Sequence, residues 1–261
     1  MKYSVCIDMM YADTDFDKRI MRAKNDGADA VEFWKWSNKD IDAIIRALDK
    51  SGLALSLLNL DSSDESLSQD LSRGILVKNR ADELIEAINE SAPVMKRLGV
   101  DNAIILAGEE LEGLSYSDAL ANIESCLRAA LPALEKNGIN LLLEPLNYFD
   151  RKNYLLWRAS DAFKIIRSIN SPRVRLLYDI YHAQRTEGNI INTVSENIDL
   201  IGHFHIANSP YRCEPDLGEL DYAQILRTIS ELGYDGYAGF EFRQRSSDFS
   251  LEKYISNHKY N

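Results

Sequence analysis

The sequence predicts a single-domain α/β protein of the (β/α)₈ or TIM-barrel class, spanning residues 1–261. Short apolar runs alternate eight times with stretches of helical periodicity, and the units average roughly 33 residues, the size of a βαβ repeat. This alternation indicates a parallel sheet, and 261 residues is close to the length of one closed barrel. Because no GxGxxG motif follows the first strand and no Pro- or Gly-rich linker divides the chain, an open dinucleotide-binding sheet and a second domain are disfavoured.

The strands and helices follow from apolar runs and from helix-stop signals. The predicted strands are residues 3–9, Ala30–Phe33, 54–58, Asn102–Leu106, 139–143, 174–178, Ile201–Ile206 and 237–242. The predicted helices are residues 15–25, 40–50, 81–97, 115–136, 160–169, 189–198 and 222–232. Gly52, Gly99 and Gly138 stand at helix ends, and Ser115 has the spacing of a capping-box residue. The stretch 61–73, rich in Ser and Asp, is predicted to be a loop.

The charge and cysteine content exclude several classes of partner. The chain has 41 Asp and Glu against 30 Lys and Arg, a net charge of −11, so it repels phosphate backbones and no nucleic-acid partner is expected. No run approaches the ~20 apolar residues of a membrane span, so no membrane partner is expected. Three widely spaced Cys residues without a CxxC pair support neither a disulfide framework nor a zinc knuckle and predict a reducing, cytoplasmic location. Whether the chain forms a homo-oligomer is left open.

Polar side chains mark the ends of four consecutive predicted strands. Strands five to eight carry, at or next to their carboxyl ends, Glu144, Asp179, His205 and Glu241. The active site of a (β/α)₈ barrel lies at this end of the strands. One charged residue at a strand end only marks the place where the chain reaches the surface. Four adjacent strands that each end in a metal-ligand type, about one βα unit apart, are much rarer by chance.

These four residues together predict a metal site. Three carboxylates that converge on one barrel mouth repel one another, raise their own pKa values and destabilise the fold unless a cation is present. Oxygen ligands with one imidazole suit Mg²⁺ or Mn²⁺, with Zn²⁺ and Co²⁺ as alternatives. We therefore expect a divalent metal cation as the cofactor and no redox cofactor.

Four motifs resemble a known family over the whole chain. They are EPLN at 144–147, YDIYH at 178–182, GHFHIA at 202–207 and the stretch RCEP…GELDY at 212–222. Together they resemble the xylose isomerase-like barrel superfamily and, within it, the hydroxypyruvate isomerases and 2-oxo-tetronate isomerases. The resemblance implies metal-dependent isomerisation of a small 2-oxo hydroxy acid by proton transfer through an enediolate. It also implies that Glu144 and Glu241 form the acid/base pair as well as binding metal, and that Asp179 and His205 complete the metal site.

One departure from the family pattern keeps the substrate open. Hydroxypyruvate isomerases usually carry Gln at the position of His205, whereas ketose 3-epimerases of the tagatose or psicose type carry His. An epimerase is therefore the main alternative. Endonuclease IV-like phosphodiesterases use a similar barrel, but they build a trinuclear zinc site with several His from early strands, and here no His precedes His182. A non-enzymatic sugar-binding barrel is a further alternative, which would leave the carboxylates unexplained.

Three further polar residues are candidates for substrate binding. His182 follows Asp179 by three residues and is either a surface residue that caps the next helix or, as the resemblance supports, a contact to a substrate hydroxyl or carbonyl. Arg212 follows strand seven and Arg243 follows strand eight. Both are either solvated loop residues or cations for an anionic substrate, because Arg grips a carboxylate with two donors. We favour Arg212 for this role over Arg243.

The remaining candidates have weaker signals. His203 lies two residues before the strand-seven ligand, on the same side of the strand but deeper, and is expected to be a core histidine. Trp34 and Trp36 follow strand two and either form a wall of the pocket or cover the barrel rim. Tyr11 and Asn59, after strands one and three, are further candidates for the pocket wall.

Overall fold

A computed structural model of the chain describes residues 1–259, in which eight parallel strands close into one barrel. Each strand pairs with the next along the chain, and the last pairs with the first. The strands are β1 (Lys2–Cys6), β2 (Ala30–Phe33), β3 (Ala54–Asn59), β4 (Asn102–Leu106), β5 (Asn140–Glu144), β6 (Val174–Asp179), β7 (Ile201–Ile206) and β8 (Tyr237–Phe240). The predicted fold class, a single-domain TIM barrel, is confirmed.

Ten α-helices in the described part of the chain surround the barrel. They are α1 (Phe16–Asn25), α2 (Ile41–Ser51), α3 (Glu65–Arg73), α4 (Ala81–Leu98), α5 (Tyr116–Asn137), α6 (Ala159–Ile169), α7 (Ile180–Thr186), α8 (Ile190–Asn197), α9 (Tyr222–Glu231) and α10 (Leu251–Asn257). None of these ten has the combination of length and apolar composition that is needed to span a bilayer.

The predicted helix ends agree with the capping seen in the structure. Asp40 precedes α2, and its carboxylate accepts a hydrogen bond from the third residue of the helix at 2.9 Å. Gly52 ends the same helix with a φ of 69°, a left-handed conformation that glycine adopts without a steric penalty. Ser115 caps α5 by accepting a hydrogen bond from the backbone N–H of Asp118 at 3.1 Å. Local sequence signals therefore fix these boundaries.

The predicted loop at 61–73 is wrong over most of its length, because residues Glu65–Arg73 form α3. Asp64 caps this helix by accepting a hydrogen bond from the backbone N–H of Leu67 at 2.9 Å. Leu67 and Leu71 stand four residues apart on one face and are both buried. Two apolar residues at helical spacing, with a good cap, are enough to order a segment whose composition is otherwise polar.

A second unpredicted helix, α7, starts directly after β6. The carboxylate of Asp179 accepts a hydrogen bond from the backbone N–H of His182 at 3.1 Å, so the residue that ends the strand also caps the helix. A helix of seven residues is too short to show a clear apolar period. His182, which the sequence places in a loop, lies in the first turn of α7 and is buried, so it is not a surface residue.

Alternation along the strands sorts side chains between the helix layer and the barrel interior. On β5, Leu141 and Leu143 belong to the large core under the helices, whereas Leu142 belongs to a separate cluster inside the barrel. That interior cluster also contains Leu57, Ile104 and Leu177. Glu144 is two residues beyond Leu142 and therefore faces the interior at the barrel mouth.

The opposite side of the interior is polar. On β7, Phe204 belongs to the core under the helices, so His203 and His205 face inward. On β2, Glu32 stands between two residues of the same core and also faces inward. The barrel interior is therefore apolar on its β3–β6 side and polar around β7 and β2, and the strand-end residues lie above both halves.

Candidate active site

Four polar side chains meet at the barrel mouth, where β5 to β8 end. Glu144 and Asp179 are the last residues of β5 and β6. His205 is the fifth of six residues in β7, and Glu241 directly follows β8. The strand register pairs Asp179 with His205, and His205 with Gly239. Because all of these positions face inward, the sequence-predicted set converges in space, and all four side chains are buried.

The four side chains form a compact cluster. One nitrogen or oxygen atom from each residue lies within 4.8 Å of the corresponding atom of every other. Nδ1 of His205 is 3.2 Å from Oε2 of Glu241, 3.6 Å from Oε1 of Glu144 and 3.9 Å from Oδ2 of Asp179. Neither Nδ1 of His205 nor Oδ2 of Asp179 has a hydrogen-bond partner among residues 1–259. Buried polar atoms without a partner are costly unless another group binds them.

The donor set of this cluster fits a divalent cation. Three carboxylates supply hard oxygen ligands of the kind that Mg²⁺ and Mn²⁺ prefer, and the imidazole is a ligand that Zn²⁺ and Co²⁺ also accept. A positive charge between the carboxylates would offset their mutual repulsion and would bind the two atoms that have no partner. Glu144, Asp179, His205 and Glu241 together could therefore hold one such cation.

Burial and charge shift the pKa values of the three carboxyl groups in different directions. Burial raises the pKa of Glu144, and the neighbouring charges of Glu241 and Asp179 raise it further. Burial also raises the pKa of Asp179. Burial opposes the ionisation of Glu241 as well, but Arg212 and His205 outweigh it and hold the pKa of Glu241 well below its usual range. The charged form is therefore favoured at Glu241 and disfavoured by burial at Glu144 and Asp179.

A cavity of about 310 Å³ opens above the cluster. Its wall is formed by Trp34, Asn59, Ile104, Leu106, Glu144, Leu146, Asp150, Arg151, His182, Arg212 and Glu241. The volume is at the lower end of the range for ligand pockets and suits a small organic molecule. Apolar residues of β4 cover one side of the cavity, and charged groups cover the other.

His182 presents a neutral imidazole to this cavity. The backbone N–H of Asn147 donates to its Nδ1 at 3.0 Å, so the ring proton is on Nε2. Burial and the charge of Arg212 lower the pKa of His182 to about 3, which keeps the ring uncharged. Its Nε2 is 3.6 Å from Oδ2 of Asp179 and has no hydrogen-bond partner in the described part of the chain. His182 can therefore donate a hydrogen bond at the edge of the cluster.

Arg212 contacts the carboxylates and does not stand free in the cavity. Its Nη2 pairs with Oε2 of Glu241 and lies 3.6 Å from Oδ2 of Asp179. Its guanidinium also lies over the ring of Tyr181, 5.6 Å from the centroid. Its Nε has no hydrogen-bond partner among the residues that the structure describes. Arg212 supplies positive charge to the site and keeps part of its donor capacity unused.

The structure separates the two tryptophans that the sequence could not. The indole Nε1 of Trp34 donates a hydrogen bond to Oε1 of Glu241 at 3.0 Å, and the ring lines the cavity. Trp36 is buried instead, and its Nε1 donates to the hydroxyl of Ser91 at 3.0 Å. Only Trp34 therefore belongs to the pocket.

Two other sequence candidates lie away from the cavity. The side chain of Arg243 is exposed and does not line the cavity, although its backbone N–H donates to the carbonyl of Arg212 at 2.9 Å. The hydroxyl of Tyr11 donates to Asp26 at 2.6 Å, outside the cavity wall. Asn59 does line the cavity, as the sequence suggested.

Glu32, on β2, is a site residue that the sequence reasoning missed. Its Oε1 is 3.0 Å from Nε2 of His205, and its Oε2 is 3.1 Å from Nε2 of the fully buried His203. Burial raises the pKa of Glu32, but the two imidazoles outweigh this and hold its pKa well below its usual range. Gly239 leaves room for this carboxylate, because a Cβ there would come within 2.3 Å of Oε1. The sequence feature that could have identified Glu32 is that it is the one charged residue in the short apolar strand AVEF.

Comparison with known proteins adds independent information. The family model for xylose isomerase-like TIM barrels matches residues 20–258. The chain is 31% identical over 248 residues to hydroxypyruvate isomerase of Escherichia coli (strain K12), covering 95% of each chain. It is 30% identical over 247 residues to 2-oxo-tetronate isomerase of Cupriavidus necator, covering 94% of each chain. The crystal structure of an AP endonuclease, family 2, from Brucella melitensis matches it with a TM-score of 0.86 and 25% identity, over 99% of this chain and 100% of that one.

These matches bear on the family that the motifs indicated. The family model spans most of the barrel, including all four residues of the cluster. The two relatives align over nearly their whole length, and both are named as isomerases. The resemblance is confirmed: the chain belongs to the xylose isomerase-like TIM barrel family.

Proposed function

We propose that this protein is a metal-dependent isomerase that interconverts a small 2-oxo hydroxy acid and its aldehyde isomer, of the type hydroxypyruvate to tartronate semialdehyde. One observation carries the proposal. Two glutamates from the ends of different strands, Glu144 and Glu241, belong to one cluster that could hold a cation, at the floor of a small cavity. The names of the two relatives support the same class of reaction.

The barrier to this reaction is the weak acidity of a carbon next to a carbonyl. A divalent cation held by Glu144, Asp179, His205 and Glu241 would polarise the carbonyl oxygen and stabilise the negative charge of an enediolate, a contribution of several kcal/mol. Mg²⁺ or Mn²⁺ is the proposed ion, with Zn²⁺ or Co²⁺ as the alternative.

The two glutamates are the proposed acid/base pair. One carboxylate takes a proton from the carbon that bears it, and the other carboxyl group returns a proton to the neighbouring carbon. Glu241 is held firmly for this role, because Trp34 donates to its Oε1 and Arg212 pairs with its Oε2. Glu144 approaches the same point from β5, so a substrate of a few carbons fits between the two groups.

Arg212 and His182 are the proposed substrate contacts. The guanidinium of Arg212, part of which faces the cavity, can bind the carboxylate of a 2-oxo acid, which needs a compensating cation in a site that is already rich in carboxylates. The Nε2–H of His182 can donate to a substrate hydroxyl or carbonyl. Arg151 lines the same cavity and adds a second positive charge there. Arg243 lies outside the cavity, so the anion contact is assigned to Arg212.

A ketose 3-epimerase is the second candidate, and it is favoured by the imidazole of His205 in place of the amide that hydroxypyruvate isomerases usually carry. The same two glutamates could then remove and return a proton on opposite faces of one carbon. Turnover of hydroxypyruvate or 2-oxo-tetronates, with added Mg²⁺ or Mn²⁺, supports the isomerase. Turnover of fructose or tagatose supports the epimerase, and binding of a sugar without turnover supports a sugar-binding barrel.

Loss of the cation should abolish activity. Chelation should stop turnover, and Mn²⁺ or Mg²⁺ should restore it.

Asp179→Asn should weaken Mn²⁺ binding by roughly tenfold or more, since an anionic ligand becomes neutral, while Asn still caps α7. Calorimetric titration with Mn²⁺ measures this. The matched control is Asp221→Asn, because Asp221 caps α9 in the same way, at 3.1 Å from the backbone nitrogen of Gln224. Equal Mn²⁺ affinity in the two variants would contradict the assigned site.

Arg212→Ala should raise the KM for hydroxypyruvate by about tenfold or more. Losing one charge-assisted pair costs about 1.5–3 kcal/mol. The inhibition constant of a neutral ketose should change much less, because it presents no carboxylate. Arg243→Ala serves as the control, since that side chain is exposed and should leave both constants near those of the wild type. If both ligands weaken equally in Arg212→Ala, this arginine has a structural role.

Glu144→Gln and Glu241→Gln should each lower kcat by roughly 10²–10⁴, the size of a general acid/base contribution. The assays are made at saturating Mn²⁺ so that weaker metal binding does not account for the loss. Because the two groups act in one proton relay, the double variant should lose much less than the product of the single losses. Asp150→Asn removes a carboxylate from the rim of the same cavity and should change kcat less than about tenfold. Near-normal kcat in either Gln variant would exclude that glutamate from proton transfer.

Reaction in D₂O should place deuterium on the product carbon. The proton that is returned comes from the second carboxyl group, and that group equilibrates with water between turnovers. Mass spectrometry of the product measures the incorporation. Complete retention of the substrate hydrogen would point to a hydride shift, the route of xylose isomerase itself, which uses two metals.

A further inference from the structure

We propose that Glu32 is the positioning residue of this site, holding the imidazole of His205 in the tautomer and orientation that turn Nδ1 toward Glu144, Asp179 and Glu241. This inference rests on the proposed function, because it concerns the same cation cluster. It assigns a role to a buried carboxylate that the proton relay itself does not use.

The carboxylate of Glu32 meets two imidazoles, one at each oxygen. Oε1 is 3.0 Å from Nε2 of His205, and Oε2 is 3.1 Å from Nε2 of His203. At most 2% of the surface of any of these residues is exposed, so water does not compete for the contacts. A carboxylate only accepts hydrogen bonds, so contacts this short are favourable only when Nε2 carries the proton. When a cation takes the place of the ring's second proton, the neutral ring of His205 then has its lone pair on Nδ1.

The position of Glu32 is itself fixed by its surroundings. The hydroxyl of Ser56 donates to Oε2 at 3.0 Å, and the hydroxyl of Ser4 is 2.6 Å from that of Ser56. Gly239 faces the carboxylate from β8, and a Cβ at that position would lie 2.3 Å from Oε1. Side chains from β1 and β3, with the space left on β8, therefore define one place for this group.

The orientation of His205 matters because its two ring nitrogens have different tasks. Nδ1 is 3.2–3.9 Å from one oxygen of each carboxylate in the cluster. With the proton on Nδ1, the neutral ring would present a donor where a cation needs a lone pair. Histidines that bind metal commonly donate their other N–H to a carboxylate, and loss of that partner typically weakens metal binding 10–100-fold. Glu32 has the charge and lies at the distance of such a partner, with Oε1 3.0 Å from Nε2 of His205.

Glu32, His203 and His205 also lie close enough together to hold a cation themselves. That arrangement would require both Nε2 atoms to lose their protons. If the cluster of Glu144, Asp179, His205 and Glu241 also held a cation, His205 would have to bind two ions at once. The separations of 3.0–3.1 Å have the length of N–H···O contacts, although neither Nε2 is aligned with Glu32 as a full hydrogen bond in this structure. The short distances to an anionic acceptor favour the positioning role, and the number of bound ions tests it.

The first experiment is calorimetric titration of the full chain with Mn²⁺. Glu32→Gln keeps the size of the side chain but replaces the charged acceptor, and it should raise the Kd for Mn²⁺ by roughly 10–100-fold with one ion bound per chain. The matched control is Glu90→Gln, because the carboxylate of Glu90 also accepts hydrogen bonds from serines, Ser62 and Ser63, but lies on α4 outside the cluster and the cavity wall. It should change the Kd less than about threefold. Thermal unfolding of each variant shows whether it is folded.

The second experiment does not depend on any variant. In the wild-type protein saturated with Mg²⁺, ¹⁵N NMR of the histidine rings should show the proton of His205 on Nε2 and no proton on Nδ1.

A proton on Nδ1 would overturn the proposal, and so would a Glu32→Gln variant that binds Mn²⁺ as tightly as the wild type. Two ions in the wild type, one of them lost in Glu32→Gln, would make Glu32 a ligand and also overturn it. If the wild type binds no ion, the proposed function fails together with this inference, whereas failure of the variant prediction alone leaves the proposed function intact.

Discussion

The repulsion among three carboxylates buried at one point is the constraint on which the rest of this site depends. A closed parallel barrel brings the ends of all its strands to one mouth, so the strand register holds the backbone of Glu144, Asp179 and Glu241 close together. In a buried place their charges interact strongly, because water does not screen them. Arg212 and His205 compensate part of this charge. A divalent cation would compensate the rest, so the repulsion that destabilises the cluster is also the feature that would favour cation binding.

The two halves of the barrel interior have different roles around this cluster. On the β3–β6 side, the apolar interior cluster containing Leu142 and Leu177 lies one layer below Glu144 and Asp179 and offers no competing polar partner. On the other side, Glu32 and its neighbours form a polar support under His205. A carboxylate over an apolar layer keeps its oxygens free for a cation, while an imidazole needs a partner for its second nitrogen.

The sequence could predict much of this arrangement, and the reasons for its failures are physical. Alternating strand and helix patterns are local, so the barrel and the strand ends that carry Glu144 and Asp179 could be predicted without tertiary information. Helices α3 and α7 could not, because each depends on a cap and on burial against a particular neighbour. Glu32 could not be found because its partners are on β7, far along the chain. The side chain of Arg243 also shows this limit, since a position after a strand does not determine the direction in which a long side chain points.

The most direct test of the central claim is a crystal structure of the protein grown with Mn²⁺, with the ion located by its anomalous scattering. The account predicts one peak per chain, within coordination distance of Nδ1 of His205 and of one oxygen from each of Glu144, Asp179 and Glu241. A well-ordered site that contains no ion at saturating Mn²⁺, with the carboxylates neutralised only by Arg212 and by protonation, would contradict it. A peak placed between Glu32 and the two histidines would contradict it as well.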